Sequence, residues 1–104
     1  QMRVIRDEFL NDVKLYLRIS HNLLDNEITT VIASARQEMI RAGVSTAVAN
    51  GEDTDSVKIV EQAIKTYAKM YYADTKDGEK YAESFQYQLD NIRKTYPKEV
   101  VEDV

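Results

Sequence analysis

Apolar residues recur at intervals of three and four positions in four separate stretches of this sequence. That spacing collects them on one face of an α-helix. The predicted helices cover about residues 8–18, 23–42, 56–73 and 79–96. The chain has one proline and three glycines, too few for the turns of a sandwich or barrel of many short strands. We therefore expect an all-α fold, a small bundle of about four helices forming a single domain over residues 1–104.

The second predicted helix has the most regular apolar face, made of Leu24, Ile28, Val31, Ile32, Ala35 and Met39. Asn22 is its candidate N-cap, with Asp25 three residues later as in a capping box. Gly43 follows its last turn, where glycine is common. In the third predicted helix, the spacing turns Tyr67 and Tyr71 toward the core.

Two segments lack a helical period. Residues 44–56 contain the turn pair Asn50-Gly51, and we interpret them as a mobile loop between the second and third helices. Residues 74–78 are expected to form the next turn. Pro97 ends the last predicted helix, and residues 97–104 are expected to form a loose C-terminal tail.

The net charge of −4 is unevenly distributed along the chain. The segment 44–56 contains three acidic residues and no basic one, and the tail has three acids against one lysine. The predicted helical body is therefore close to neutral. This balance argues against tight binding of nucleic acid, because affinity for nucleic acid comes largely from neutralising phosphates.

The residues of common catalytic and metal sites are scarce. The sequence has no cysteine and one histidine, His21, which excludes cysteine zinc sites and any site built from two histidines of one chain. The three glycines are isolated, so no phosphate-binding loop is present. We predict no metal, no cofactor and no enzymatic activity. We also expect no contact with a membrane, since no apolar run is long enough to cross one.

Several residues outside the apolar faces are candidates for contact with other proteins. Three tyrosines, Tyr16, Tyr72 and Tyr87, lie off the inward-facing positions, and exposed tyrosines are typical of protein interfaces. The valines near the end of the sequence could add an extended segment to a partner's surface. With the acids of segment 44–56, the candidate partner-binding residues are Glu52, Asp53, Asp55, Tyr72, Tyr87, Glu99, Val100, Val101 and Glu102.

A small helical DNA-binding regulator of the helix-turn-helix type is the alternative interpretation. Lys58, Lys65 and Lys69 form a basic stripe on the third predicted helix that could contact phosphates. Glu61 interrupts the stripe, and an ordinary solvated helix face accounts for the same pattern.

Three stretches resemble one known family. Leu17-Arg18-Ile19-Ser20-His21-Asn22, followed by Asp25-Asn26-Glu27-Ile28, resembles the start of the head–tail connector (adaptor) proteins of tailed bacteriophages. The stretch 63–67 with Tyr71 resembles the third helix of that family, and the stretch 81–85 with Leu89 resembles its fourth. The likeness spans about residues 10–96. At Ser20 the chain departs from the family, which often has an acidic residue there.

The resemblance implies a mechanical role without cofactors or catalytic residues. Members of the family form a ring, typically of twelve subunits, docked under the portal protein at the head–tail interface of the virion. The ring would assemble in the host cytoplasm, extend the DNA channel without binding DNA specifically, and offer a platform for the stopper or tail-completion protein. We expect the loop Ser45–Asp55 to face the channel or the next ring, and the tail to order on the portal ring or a neighbouring subunit.

Overall fold

Five helices make up the described part of the chain. The computed structural model describes residues 7–98. The helices are α1 Asp7–Leu17, α2 Asp25–Arg41, α3 Thr46–Ala49, α4 Val57–Tyr72 and α5 Thr75–Thr95. Residues 7–98 contain no β-strand, and an isolated bridge joins Val44 to Pro97. The all-α prediction is confirmed.

The apolar faces of the four longer helices meet in one buried core. Every inward position predicted for α2 from Ile28 to Met39 is buried, and Leu24 packs against the core edge. The other long helices contribute Phe9, Val13, Val60, Ala63, Ile64, Ala68, Phe85, Leu89 and Ile92. Between α4 and α5, the rings of Tyr67 and Phe85 meet edge to face with centroids 5.1 Å apart.

The turn between α4 and α5 is shorter than predicted. The Asp74 carboxylate accepts a hydrogen bond from the Asp77 backbone N–H at 2.9 Å, so α5 begins at Thr75. The expected turn over 74–78 is therefore wrong, and Gly78 lies inside the helix. A glycine there costs about 1 kcal/mol relative to alanine, but the cap and the packing of α5 on α4 keep the segment helical.

The connection between α1 and α2 depends on a buried lysine. Lys14 donates to Asn22 Oδ1 at 2.7 Å and lies 2.8 Å from Asp25 Oδ1. The predicted capping role of Asn22 is wrong, since its side chain binds Lys14 and α2 begins only at Asp25, with Leu24 at the N-cap position. Arg18, with a φ of 62°, turns the chain away from the end of α1.

The segment 44–56 is more ordered than the sequence indicates. It contains α3, and its residues Val44, Val48, Ala49 and Ser56 are buried. The prediction of a segment without regular structure is therefore wrong, because its small and branched apolar residues reach the core. In the sequence, the Asn50-Gly51 turn pair and the acidic residues after it indicate an exposed loop, so the burial of the preceding apolar residues is not apparent.

The two adjacent tyrosines at the end of α4 have exchanged their predicted positions. Tyr71, expected in the core, is 56% exposed, whereas Tyr72 is half-buried against the core. Successive helical residues differ by about 100° in direction. The inward face of α4 at its last turn therefore passes through Tyr72 instead of Tyr71.

The beginning of the predicted tail is attached to the fold. The Tyr96 carbonyl accepts from the Ser45 N–H at 3.0 Å, and the Lys98 N–H donates to the Gly43 carbonyl at 2.6 Å. The remaining tail residues, 99–104, lie outside the described residues.

These contacts define two opposite ends of the bundle. The turn end contains the α1–α2 connection, residues 18–24, and the α4–α5 turn at Asp74. The loop end contains residues 42–56 and 96–98. No helix within residues 7–98 combines the length and apolar composition needed to cross a membrane.

Replacing Asp25 with alanine tests how much the contact between Lys14 and Asp25 contributes to stability. The change leaves the Lys14 ammonium in the protein interior without its carboxylate. We expect the free energy of unfolding to fall by about 2 kcal/mol, less than for a fully buried pair because Asp25 is partly exposed. Lys14→Met removes the charge and keeps the side-chain volume, so it should cost less than about 1 kcal/mol. Urea denaturation measures both, and a larger loss for Lys14→Met than for Asp25→Ala would contradict this role.

Candidate functional surfaces

The three predicted acidic residues lie together at the loop end, but they are not equivalent. Asp53 is half-buried, and its carboxylate accepts from the Ser56 N–H at 3.0 Å, which fixes the approach to α4. The Glu52 N–H donates to the Ala47 carbonyl at 2.9 Å, and the Glu52 side chain is exposed. Asp55 is also exposed. Glu52 and Asp55 are therefore the solvent-accessible acids of this segment, whereas Asp53 has a structural role.

Arg36 of α2 holds this acidic segment in position. Its guanidinium donates to the Ala49 carbonyl at 2.6 Å and lies 5.7 Å from the centroid of the Phe9 ring. Gly51 passes beside it with a φ of 77°, and a Cβ there would lie 3.3 Å from the guanidinium. The acidic residues of the loop end thus belong to a segment whose backbone is held by contacts with α2.

Tyr72 lies at the turn end, away from the acidic residues. Its hydroxyl donates to the Glu27 carboxylate at 2.6 Å, which joins α4 to α2, and its ring meets Tyr71 edge to face at 5.0 Å. Burial, followed by the hydrogen bond to Glu27, raises the pKa of the Tyr72 hydroxyl. The hydroxyl is therefore engaged within the fold, and the exposed Tyr71 ring is the larger surface beside it.

Tyr87 on α5 is 71% exposed, in agreement with its position off the predicted inward face. The other predicted partner-binding residues, Glu99, Val100, Val101 and Glu102, lie outside the described residues. The structure thus brings Glu52, Asp53 and Asp55 together but separates them from Tyr72.

One surface was missed by the sequence analysis. At the turn end, Leu15 is 78% exposed and Leu23 is 87% exposed. Leu15 borders a groove of about 700 Å³ between the end of α1, α4 and the start of α5. We name it the turn-end groove; its lining includes Leu15, Tyr16, Arg18, Ile19, Lys69 and Tyr81. The available signal was the position of Leu15 outside the helical spacing of Leu10, Val13 and Leu17.

The basic stripe considered for DNA binding does not form a uniform face. Lys58 is exposed, but Lys65 is half-buried. Lys69 folds onto α1, donating to the Tyr16 carbonyl at 3.3 Å with its ammonium 5.2 Å from the Tyr16 ring centroid. Within residues 7–98, no group of three or more histidines or acids converges to hold a metal ion.

A family model described as phage connector protein matches residues 9–98 of the chain. The match begins in α1 and extends through the last described residue, so it includes the core, the acidic segment and the turn-end groove. No curated protein and no solved structure matches the chain.

The Tyr72–Glu27 contact predicts a pH-dependent contribution to stability. Tyr72→Phe should lower the free energy of unfolding by about 1 kcal/mol at pH 7, since it removes one partly exposed hydrogen bond to a carboxylate. The folded-state pKa of Tyr72 lies above its usual value of 10.0. As the pH rises past that value, the unfolded chain loses the Tyr72 proton before the folded chain does, so the stabilisation is complete below it and declines above it.

Urea denaturation of the wild type and Tyr72→Phe at a series of pH values measures this. The difference in free energy of unfolding between the two proteins should shrink in alkaline solution. A difference that grows with pH would show that Tyr72 is not held in its protonated form.

Proposed function

The chain belongs to the phage connector protein family, and on this premise we propose that it docks as a ring on the portal protein of a tailed bacteriophage. The family gives it a structural role in the virion, at the connection of head and tail. In our proposal the ring assembles in the host cytoplasm, extends the DNA channel and offers a platform to the stopper or tail-completion protein. The match over residues 9–98 carries this proposal.

The charge distribution supports a channel that does not hold DNA. Glu52 and Asp55 are exposed at the loop end, and a carboxylate near a DNA duplex repels its phosphates. A surface of this kind lets a duplex slide. We therefore propose that the loop end faces the channel lumen or the next ring. Glu52 and Asp55 would be the acids that face it, and Asp53 would stabilise the segment through its hydrogen bond with Ser56.

The remaining candidates are assigned to contacts between proteins. We propose that Tyr87 contacts a neighbouring subunit or the portal. Its aromatic side chain is exposed on α5, and burying a large aromatic side chain in an interface is favourable. Tyr72 would contact a partner only with the edge of its aromatic side chain, since its hydroxyl is bound to Glu27. Glu99, Val100, Val101 and Glu102 are proposed to bind the portal ring or a neighbouring subunit.

Cross-linking from the loop end tests its proposed direction. The sequence has no cysteine, so Asp55→Cys gives a single attachment point for a photoreactive group. In assembled particles that contain DNA, we expect this group to label DNA or the stopper protein. Thr30→Cys, on the exposed side of α2, is the control for random labelling. Labelling confined to neighbouring copies of the chain would mean that the loop end is buried between subunits.

Truncation tests the tail. Removal of residues 99–104 keeps the bond from the Lys98 N–H to Gly43 and the bridge from Pro97 to Val44, whereas truncation after Tyr96 would remove both. We expect the chain that ends at Lys98 to retain its helical content and unfolding midpoint but to lose co-sedimentation with the portal ring. Full retention of portal binding would contradict a role for the tail.

The DNA-binding alternative differs from the connector in a simple measurement. Binding of duplex DNA should be negligible for a connector, whereas a regulator's affinity should fall steeply as salt increases. Fluorescence anisotropy with duplex DNA at two salt concentrations distinguishes them. Strong, salt-dependent binding by the isolated chain would contradict the connector proposal.

A further inference from the structure

We propose that the turn-end groove of one copy of the chain binds the acidic, valine-containing tail segment 99–104 of a second copy. The inference rests on the proposed ring and names the segment that joins its neighbours.

The groove combines an apolar floor with positive charge. Leu15, Ile19 and the rings of Tyr16 and Tyr81 supply apolar surface, and Arg18 and Lys69 supply charge. None of its lining residues in the described part of the chain is acidic. The Lys69 ammonium contacts the Tyr16 carbonyl and ring, which are uncharged, and neither basic residue has a carboxylate partner within residues 7–98.

The turn-end groove exposes apolar side chains to water, which is unfavourable. Leu15 alone exposes 78% of its surface, and its burial by a partner would be favourable in proportion to the apolar area removed from water. The best occupant for such a groove therefore carries small apolar side chains together with carboxylates.

The tail segment has this composition. Its sequence Glu99-Val100-Val101-Glu102-Asp103-Val104 contains three valines and three acids and no basic residue. An extended segment of this kind places valines on apolar surface while its carboxylates reach flanking cations. Arg18 and Lys69 are the cations available in the groove.

The tail of the same chain cannot occupy the groove in this way. Lys98 is bound to Gly43 at the loop end, whereas the groove is lined by Lys69 of α4 and Tyr81 of α5. Along α5, Tyr81 lies about 21 Å from Thr95, the last residue of that helix at the loop end. Val101 is three residues beyond Lys98 and can lie at most about 11 Å from it. Val100 and Val101 therefore reach the groove of a second copy only.

A contact between opposite ends of two copies is a head-to-tail contact. A pair joined in this way keeps one free groove and one free tail, so further copies can add at either end until the rotation closes the chain of copies into a ring. The same contact without closure would give an open filament. The groove and tail therefore supply the kind of interface that a ring requires.

Disulfide trapping tests the contact in the full chain. Ser20 also lines the groove, so the variant Ser20→Cys/Val101→Cys carries one cysteine in the groove and one in the tail of a protein that otherwise has none. Mild oxidation at high chain concentration, and on the portal ring, should give a ladder of dimers and larger species on a denaturing gel. The control Thr30→Cys/Val101→Cys has its first cysteine on exposed α2 surface outside the groove and should stay largely monomeric.

Charge reversal separates specific binding from random collision. Arg18→Glu in the trapping variant should reduce the ladder at least several-fold, whereas Lys58→Glu, the same change of charge outside the groove, should leave it unchanged. A ladder that is absent under both conditions, is equal in the Thr30 control, or is insensitive to Arg18→Glu overturns the inference. So does a cyclised monomer, or capture of Val101 by the portal in place of a second copy.

The outcome is separable from that of the proposed function. Rings seen on the portal without a Ser20–Val101 ladder would leave the connector proposal intact and eliminate this contact. A ladder without binding to the portal would support the contact and contradict the connector proposal.

Discussion

The antiparallel packing of α4 against α5 organises the whole bundle. The Asp74 cap starts α5 immediately after α4 ends, and the Tyr67–Phe85 contact fixes how the two helices face each other. α1 and α2 then attach to α4, through Lys69 and Tyr72 among other contacts. This arrangement places the two chain reversals at one end and the acidic segment with the start of the tail at the other.

Much of the fold follows from the periodicity of apolar residues, and the failures have local causes. The faces of α2 and α5 were predictable because their core residues repeat regularly over several turns. The segment 44–56 was misinterpreted because the turn pair and the acids are prominent, whereas the burial of Val44, Val48 and Ala49 depends on contacts with distant residues such as Arg36. Tyr71 and Tyr72 show that a drift of one residue at a helix end reverses which side chain is buried.

The candidate surfaces were predictable in their chemistry and less so in their arrangement. The sequence shows where the acids are, but only the structure separates Asp53, which stabilises the approach to α4, from the exposed Asp55. The turn-end groove could not be derived from local patterns, since it joins residues from three helices and one connection. The excess negative charge thus has two distinct origins, an ordered acidic surface at the loop end and a tail segment that begins beside it.

We propose that this chain forms part of the connection between the phage head and its tail. An electron cryomicroscopy reconstruction of the portal vertex, from particles that contain this protein, tests this proposal. We expect a ring on the portal, coaxial with the DNA, whose repeating unit fits helices α1 to α5. A portal vertex without such a ring, in particles that contain the protein elsewhere, would contradict it.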